Sequence, residues 1–224
     1  MAIYTLSDLH LAQSVDKPMD IFGDNWVDYH EKILENCTYL LTTDDTLVIP
    51  GDISWASNLE ESLSDFLFLD KIRAKKIISK GNHDYWFSTK KATENFLNKN
   101  GIYNIQILHN NSFLVEDIYI CGTKWYGSDG GDITQWRKMK NREQERLKIS
   151  LESAKGDYEK VVFLHFPPCD DRSMFDILTH HGVKRVYYGH LHNEKEVNSI
   201  TKHARGIDFC NVSSNILKFF PKKI

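Results

Sequence analysis

The sequence has no Cys-x-x-Cys pair, no block of lysine and arginine, and no apolar run approaching the ~18 residues of a membrane-spanning helix. Each absence removes a class. Four scattered cysteines (Cys37, Cys121, Cys169, Cys210) make neither a disulfide framework nor a thiolate zinc site, and read as reduced residues of a cytoplasmic protein. Met1-Ala2-Ile3-Tyr4-Thr5-Leu6 lacks the basic and long apolar regions of a secretory signal, so no membrane partner is expected. The 28 basic and 31 acidic side chains give a net charge of −3, which weighs against a nucleic-acid partner. No repeat, low-complexity tract or linker divides the chain, and 1–224 is expected to form a single domain.

What is present is a rhythm of short apolar runs. Strands are expected at Ala2–Leu6, Thr46–Ile49 and Lys76–Ser79. Between them lie a helix carrying Tyr29, Ile33, Leu34, Cys37 and Leu40-Leu41 on one face, and helical spacing over Leu59–Ile72. This βαβαβ order implies an α/β fold with a parallel sheet. Asn104–His109, Ser112–Glu116 and Ile118–Gly122 read as an antiparallel meander. A Gly- and Trp-rich excursion (Lys124–Trp136) and a charged helix over Lys138–Ala154 follow. Further strands are expected at Val161–Leu164, Arg185–Tyr188, Ile207–Val212 and Ile216–Phe219.

Five short segments sit directly after such runs: Ser7-Asp8-Leu9-His10, Gly51-Asp52, Gly81-Asn82-His83-Asp84, His165, and Gly189-His190-Leu191-His192. Strands that all end in potential ligands collect them on one rim of a sheet. Asp-x-His and Gly-Asp are weak signals alone. Gly-Asn-His-Asp has a chance expectation on the order of one in a thousand for a chain this long. The glycines before the ligands are expected to take φ > 0 where the chain turns.

Asp8, His10, Asp52, Asn82, His165, His190 and His192 offer carboxylates, a carboxamide and imidazoles without thiolate. That set suits Mn, Fe or Zn, with Mn the metal to try first in vitro. Seven ligands are too many for one open catalytic metal and fit two divalent ions if one carboxylate bridges. Two such ions against two carboxylates leave a formal charge of about +2, which matches a phosphoester and can generate hydroxide at neutral pH. His83 makes sense as an imidazole acid for the leaving oxygen. Asp84, its neighbour, is not assigned as its partner.

The ordered set resembles the calcineurin-like metallophosphoesterase superfamily over Asp8 to His192, with every motif position filled. The resemblance implies two packed, mixed β-sheets flanked by helices, with the site at one edge. It implies that Asp8, His10 and His192 ligate one metal, that Asn82, His165 and His190 ligate the second, and that Asp52 bridges. It implies a metal-bridging hydroxide as nucleophile and His83 as the catalytic, non-ligand histidine. The family's protein phosphatases extend Gly-Asp to an Asp-Arg pair; here Gly51-Asp52-Ile53-Ser54-Trp55-Ala56 has no arginine, which weighs against protein phosphatase activity. The sequence looks closer to the small microbial phosphohydrolases, acting on a small mono- or diester. The alternative is an inactive scaffold on the same fold.

Trp26, Trp55, Trp86, Trp125 and Trp136 all fall near the segments, either as a wall for a planar leaving group or as packing under long loops. Surface or capping roles are expected for His30, His109, His180, His181 and His203. Lys124, Arg137, Arg142 and Arg172 could reach a phosphate, but nothing in their spacing selects one, and the substrate-binding residues stay unassigned.

Overall fold

The structure, a computed structural model, describes residues 1–126, 133–168 and 172–224. The aliphatic runs form β1 (Ile3–Thr5), β2 (Thr46–Pro50) and β3 (Lys75–Ser79), joined in parallel in that order. α1 (Tyr29–Leu40) and α2 (Leu63–Asp70) make the crossovers, and α1 buries Tyr29, Ile33 and Cys37 on the expected face. α3 (Lys90–Lys99) follows. Its sequence is mostly polar, burying only Thr93 and Leu97. Its local signal is Thr89, whose side chain accepts the Ala92 N–H and caps the first turn.

This polar helix corrects the expected topology. β4 (Ile105–Ile107) is not part of a meander; it pairs with β3 in parallel. Parallel pairing requires a long crossover, and α3 supplies it. The chain then turns through Asn110, at φ 58, into the second sheet. There β5 (Phe113–Val115) and β6 (Ile118–Thr123) form the expected antiparallel pair. α4 (Ile133–Ser153) begins five residues before the expected start and buries Leu147 and Leu151. Residues 127–132 of the Gly-rich excursion lie outside the described residues, as does Cys169.

β7 (Glu159–Leu164), α5 (Arg172–His180), β8 (Arg185–Tyr188), α6 (Glu194–Ser199), β9 (His203–Ala204) and β10 (Ile207–Asn211) complete the second half. The expected strand at Ile216–Phe219 is instead a run of turns, with Lys218 at φ 52 and Phe219 at φ 62. Burial, not pairing, accounts for its apolar character: the Phe219 ring packs edge-on against Trp26 at 5.4 Å. β11 (Lys222–Lys223) then returns antiparallel to β1.

The result is a five-stranded sheet, β11-β1-β2-β3-β4, and a six-stranded sheet, β5-β6-β7-β8-β10-β9, both mixed. The period-two alternation of strands assigns side chains to layers. Val48 and Ile77 of the first sheet meet Val161, Phe163 and Tyr187 of the second between the sheets. Leu47, Ile49 and Ile78 face α1, α2 and α3, while Val162, Leu164, Val186 and Tyr188 face α4 and α5. The expected two-sheet α/β architecture is thus present. No helix among the described residues is long and apolar enough to cross a membrane.

Candidate metal centre

The chain leaves β1, β2, β3, β7 and β8 at their carboxyl ends, and each exit carries one of the five segments. Backbone bonds weld these exits together. The N–H of Asp8 donates to Gly51 O at 3.1 Å, that of His10 to Asp52 O at 3.0 Å, and that of Gly189 to His165 O at 3.1 Å. The Ser7 N–H reaches Val212 O at 2.8 Å and couples the two sheets.

All seven anticipated side chains converge. Asp8, His10 and His192 form one group that could hold a metal ion, and Asp52, His165 and His190 form a second. Asn82 joins the second group: its Oδ1 lies 2.6 Å from His165 Nε2 and 3.0 Å from His190 Nδ1. Asp52 Oδ2 stands 3.4 Å from His165 Nε2 and 3.9 Å from His10 Nε2, so it faces both groups.

Aiming these side chains strains the backbone. Asp8, His10, Asp52 and His190 have φ of 58°, 47°, 51° and 70°, a region non-glycine residues seldom adopt. Gly51 has the expected positive φ, at 93°. Gly81 and Gly189 do not, which corrects the reading of these glycines. Their role is close approach: a Cβ at Gly81 would overlap the Asp52 carboxylate, and one at Gly189 would overlap Asp8 Oδ2 and Ser7 Oγ.

Proton inventory tests whether cations fit. His165 Nδ1 lies 3.1 Å from the Pro50 carbonyl, an acceptor only, so Nδ1 carries the hydrogen. Its Nε2 lone pair therefore faces Asn82 Oδ1 and Asp52 Oδ2, two more acceptors. His192 repeats the pattern, with Nδ1 2.8 Å from Asn215 Oδ1 and Nε2 turned to within 3.3 Å of His10 Nε2. Burial pushes both His10 and His165 down to about 3, so neither imidazole brings a positive charge at neutral pH. Burial, then Asp84 and Asp8, pushes Asp52 well above the ordinary carboxylate range. Lone pairs and carboxylates directed at one another without a cation repel; divalent cations between them relieve this, and the residues fit such ions.

Several contributors lie outside the ligand positions. Asp84 is fully buried and accepts five N–H groups: Asp52, Gly81, Ile53 and Ser54 of the backbone, and Trp86 Nε1. It ties the Asp52 and Asn82 loops together and does not contact the His83 ring through any of these bonds. Tyr29 Oη donates to His10 O at 2.6 Å, and Ser214 Oγ to Asp8 O at 2.7 Å. Nothing in their local sequence marks Tyr29, Ser214 or Asn215.

His83 lies at the mouth of the site. Its N–H donates to Asp52 Oδ1 at 2.8 Å, and its ring is 4.4 Å from Trp55 and 5.8 Å from His10. Burial first, then His190, lowers its pKa below 6.5. A cavity of about 550 Å³ opens here, lined by His10, Met19, Phe22, Trp26, Trp55 and His83 among others. Thus the tryptophans divide. Trp55 and Trp26 border the cavity, whereas Trp86 and Trp125 are buried in the two cores. Among the remaining histidines, His203 pairs with Asp208 at 2.6 Å on the surface and His180 ends α5.

Comparison with solved structures agrees with this architecture. A protein of unknown function from Aquifex aeolicus, AQ665, superposes with a TM-score of 0.51 at 16% identity, covering 99% of this chain and 95% of its own. TT1561 of Thermus thermophilus superposes with a TM-score of 0.51 at 12% identity, over 84% and 80% of the two chains. At these identities the likeness concerns the fold alone. No curated protein matches the sequence. The family profile described as calcineurin-like phosphoesterase, however, matches residues 1–194, which span every segment gathered at the site. With that match, the two mixed sheets and the ligand groups at their shared rim, the chain belongs to the calcineurin-like phosphoesterase family.

Proposed function

We propose that the protein is a metal-dependent hydrolase of small phosphoesters using two divalent cations. The observation that carries this reading is the His165 Nε2 lone pair facing Asn82 Oδ1 at 2.6 Å and Asp52 Oδ2 at 3.4 Å, which calls for a cation. Asp8, His10 and His192 would hold one ion; Asn82, His165 and His190 would hold the other; Asp52 would touch both. Such ions, whether Mn, Fe or Zn, supply an activated water and neutralise charge developing on a phosphoryl group.

The chain's own residues do the rest. The Pro50 carbonyl and Asn215 Oδ1 fix the tautomers of His165 and His192, keeping Nε2 free to ligate. Asp84 holds the loops so that Asp52 and Asn82 need no reorganisation when substrate arrives. His83 would offer its ring N–H to the leaving oxygen. A negative phosphoryl group nearby opposes the lowering by burial and favours the imidazolium. Trp55, Trp26, Met19 and Phe22 would receive an apolar or planar leaving group.

The test is hydrolysis of a chromogenic phosphate monoester and a diester by Mn²⁺-loaded protein, beside a chelated sample and His83→Ala. Turnover should require metal and fall by roughly 10²–10⁴ in His83→Ala, with metal content unchanged. Turnover indifferent to chelation would overturn the proposal.

A further inference from the structure

A second cavity, of about 230 Å³, lies beside the metal centre and contains none of its ligands. Its walls carry Lys80 from the end of β3, Lys124 from the end of β6, and Arg142 and Arg146 from α4, with His109, Asn110, Ser88 and Thr123 as further polar groups. Three separated elements therefore bring four cationic residues to the wall of one cavity, Arg142 with a largely exposed side chain. The charge is poorly balanced. Glu143, buried on α4, pairs with Arg146 at 2.6 Å and accepts the Thr123 hydroxyl, and Arg142 reaches the same carboxylate only at 3.9 Å. Lys80 Nζ donates to the neutral Phe87 carbonyl at 3.2 Å. Among the described residues, neither Lys80 nor Lys124 has a carboxylate within ion-pair distance, although both are half-buried.

Four cationic groups around one cavity, with Glu143 as their ion-paired acid among the described residues, leave an excess of positive charge, and an anion in the cavity would reduce their mutual repulsion. Two guanidinium groups offer planar donor forks suited to an oxyanion, and the lysines add point charge. The cavity is also joined to the metal centre. The Lys124 carbonyl accepts the N–H of His165 at 3.1 Å and of Phe166 at 3.0 Å. Its ammonium stands 5.7 Å from the Phe166 ring, which lies 4.3 Å from His190. Lys80 immediately precedes Gly81-Asn82.

We infer that this cavity is a second anion site, taking a phosphate-like oxyanion distinct from the phosphoryl group at the metals. The anion comes either from a substrate bearing two phosphate groups or from free phosphate in solution. The binding itself does not depend on the hydrolase proposal; only the choice between sources does.

The first arm uses metal-free protein, so that phosphate cannot bind through metal. Inorganic phosphate titrated into the chelated wild type should give a calorimetric binding signal and raise the unfolding temperature. In Arg142→Gln and in Lys124→Gln the affinity should fall about tenfold or more, as expected for losing one charge-assisted contact. No binding to the wild type, or equal binding to both variants, overturns the inference even if the enzyme hydrolyses phosphoesters. The second arm compares a monophosphate with a bisphosphate of the same alcohol, using Mn²⁺-loaded protein. A KM that rises in Arg142→Gln for the bisphosphate alone assigns the site to substrate. A dependence of monophosphate turnover on added phosphate, present in wild type and lost in Arg142→Gln, assigns it to the free anion. A third result, with neither effect although turnover is robust, confines the site to binding and removes it from both roles.

Discussion

The Asp84 carboxylate accepts the backbone N–H of Asp52 at 2.9 Å, so the last residue of one segment holds the backbone of another in place. Every Asp84 partner is an N–H donor, an arrangement only an acceptor can satisfy. Asp84→Asn turns an amide against those donors. The variant should lose on the order of 3 kcal/mol. For a chain of this size that corresponds to a melting temperature lower by roughly 6–12 °C. Thermal unfolding in chelator checks it, and an unchanged midpoint would show that the carboxylate is not the tie.

Asp52 Oδ2 faces both candidate metal groups, at 3.4 Å from His165 and 3.9 Å from His10. Asp52→Asn should therefore lower the bound metal of both ions together, not of one. Elemental analysis after gel filtration reads this directly. A purified Asp52→Asn protein that kept two tightly held ions would rule out the shared-ligand role.

The ring of Trp55 stands at the cavity beside His83 and also stacks on His10 at 5.0 Å. Trp55→Ala should raise KM for an aryl phosphoester by roughly 2- to 10-fold more than for an alkyl one, the scale of one aromatic contact. Equal losses on the two esters would assign Trp55 to packing alone. Trp86→Ala, by contrast, removes a core side chain and should cost about 3–5 kcal/mol of stability with no preference between esters.

Lys76 is fully buried in the first sheet, donates to Ile72 O at 2.6 Å, and has its pKa pushed down to about 8 by burial. Between pH 8 and 10.5 the unfolded chain holds the proton that the folded chain has lost, so the lysine's contribution to stability improves as pH rises. Below that window the buried charge costs about 3 kcal/mol. Lys76→Met removes the titration. Its stability relative to wild type should fall by about 3 kcal/mol between pH 7 and pH 10.5, measured by urea unfolding at each pH. A constant difference would mean that Lys76 titrates normally.

The layout of the site was legible because strand ends and ligand residues are local features. β8 occupies Arg185–Tyr188 as expected, and the seven side chains anticipated as ligands lie together. Other features depend on partners far away in sequence. The pairing of β4 with β3 followed from α3, whose polar surface hides its helical period. Ile216–Phe219 is as apolar as a strand but forms turns that bury Phe219 against Trp26. Which tryptophans line the cavity was likewise unreadable, since Trp55 and Trp86 stand equally close to ligand segments and only the packing separates them. The cluster of Lys80, Lys124, Arg142 and Arg146 is spread over more than sixty residues and shows no basic run at all.

The Ser214 hydroxyl on the Asp8 carbonyl and the Asn215 side chain on His192 have a consequence for synthesis. A ribosome releases Asp8, His10, Asp52 and Asn82 early, yet their cage is finished only when the segment from His190 to Asn215 emerges. Until then the growing chain has neither the complementary imidazoles nor the clasp that orients the first carboxylate. Under the proposed function, metal capture would wait until that segment has emerged, and a chain lacking it would be a poor catalyst.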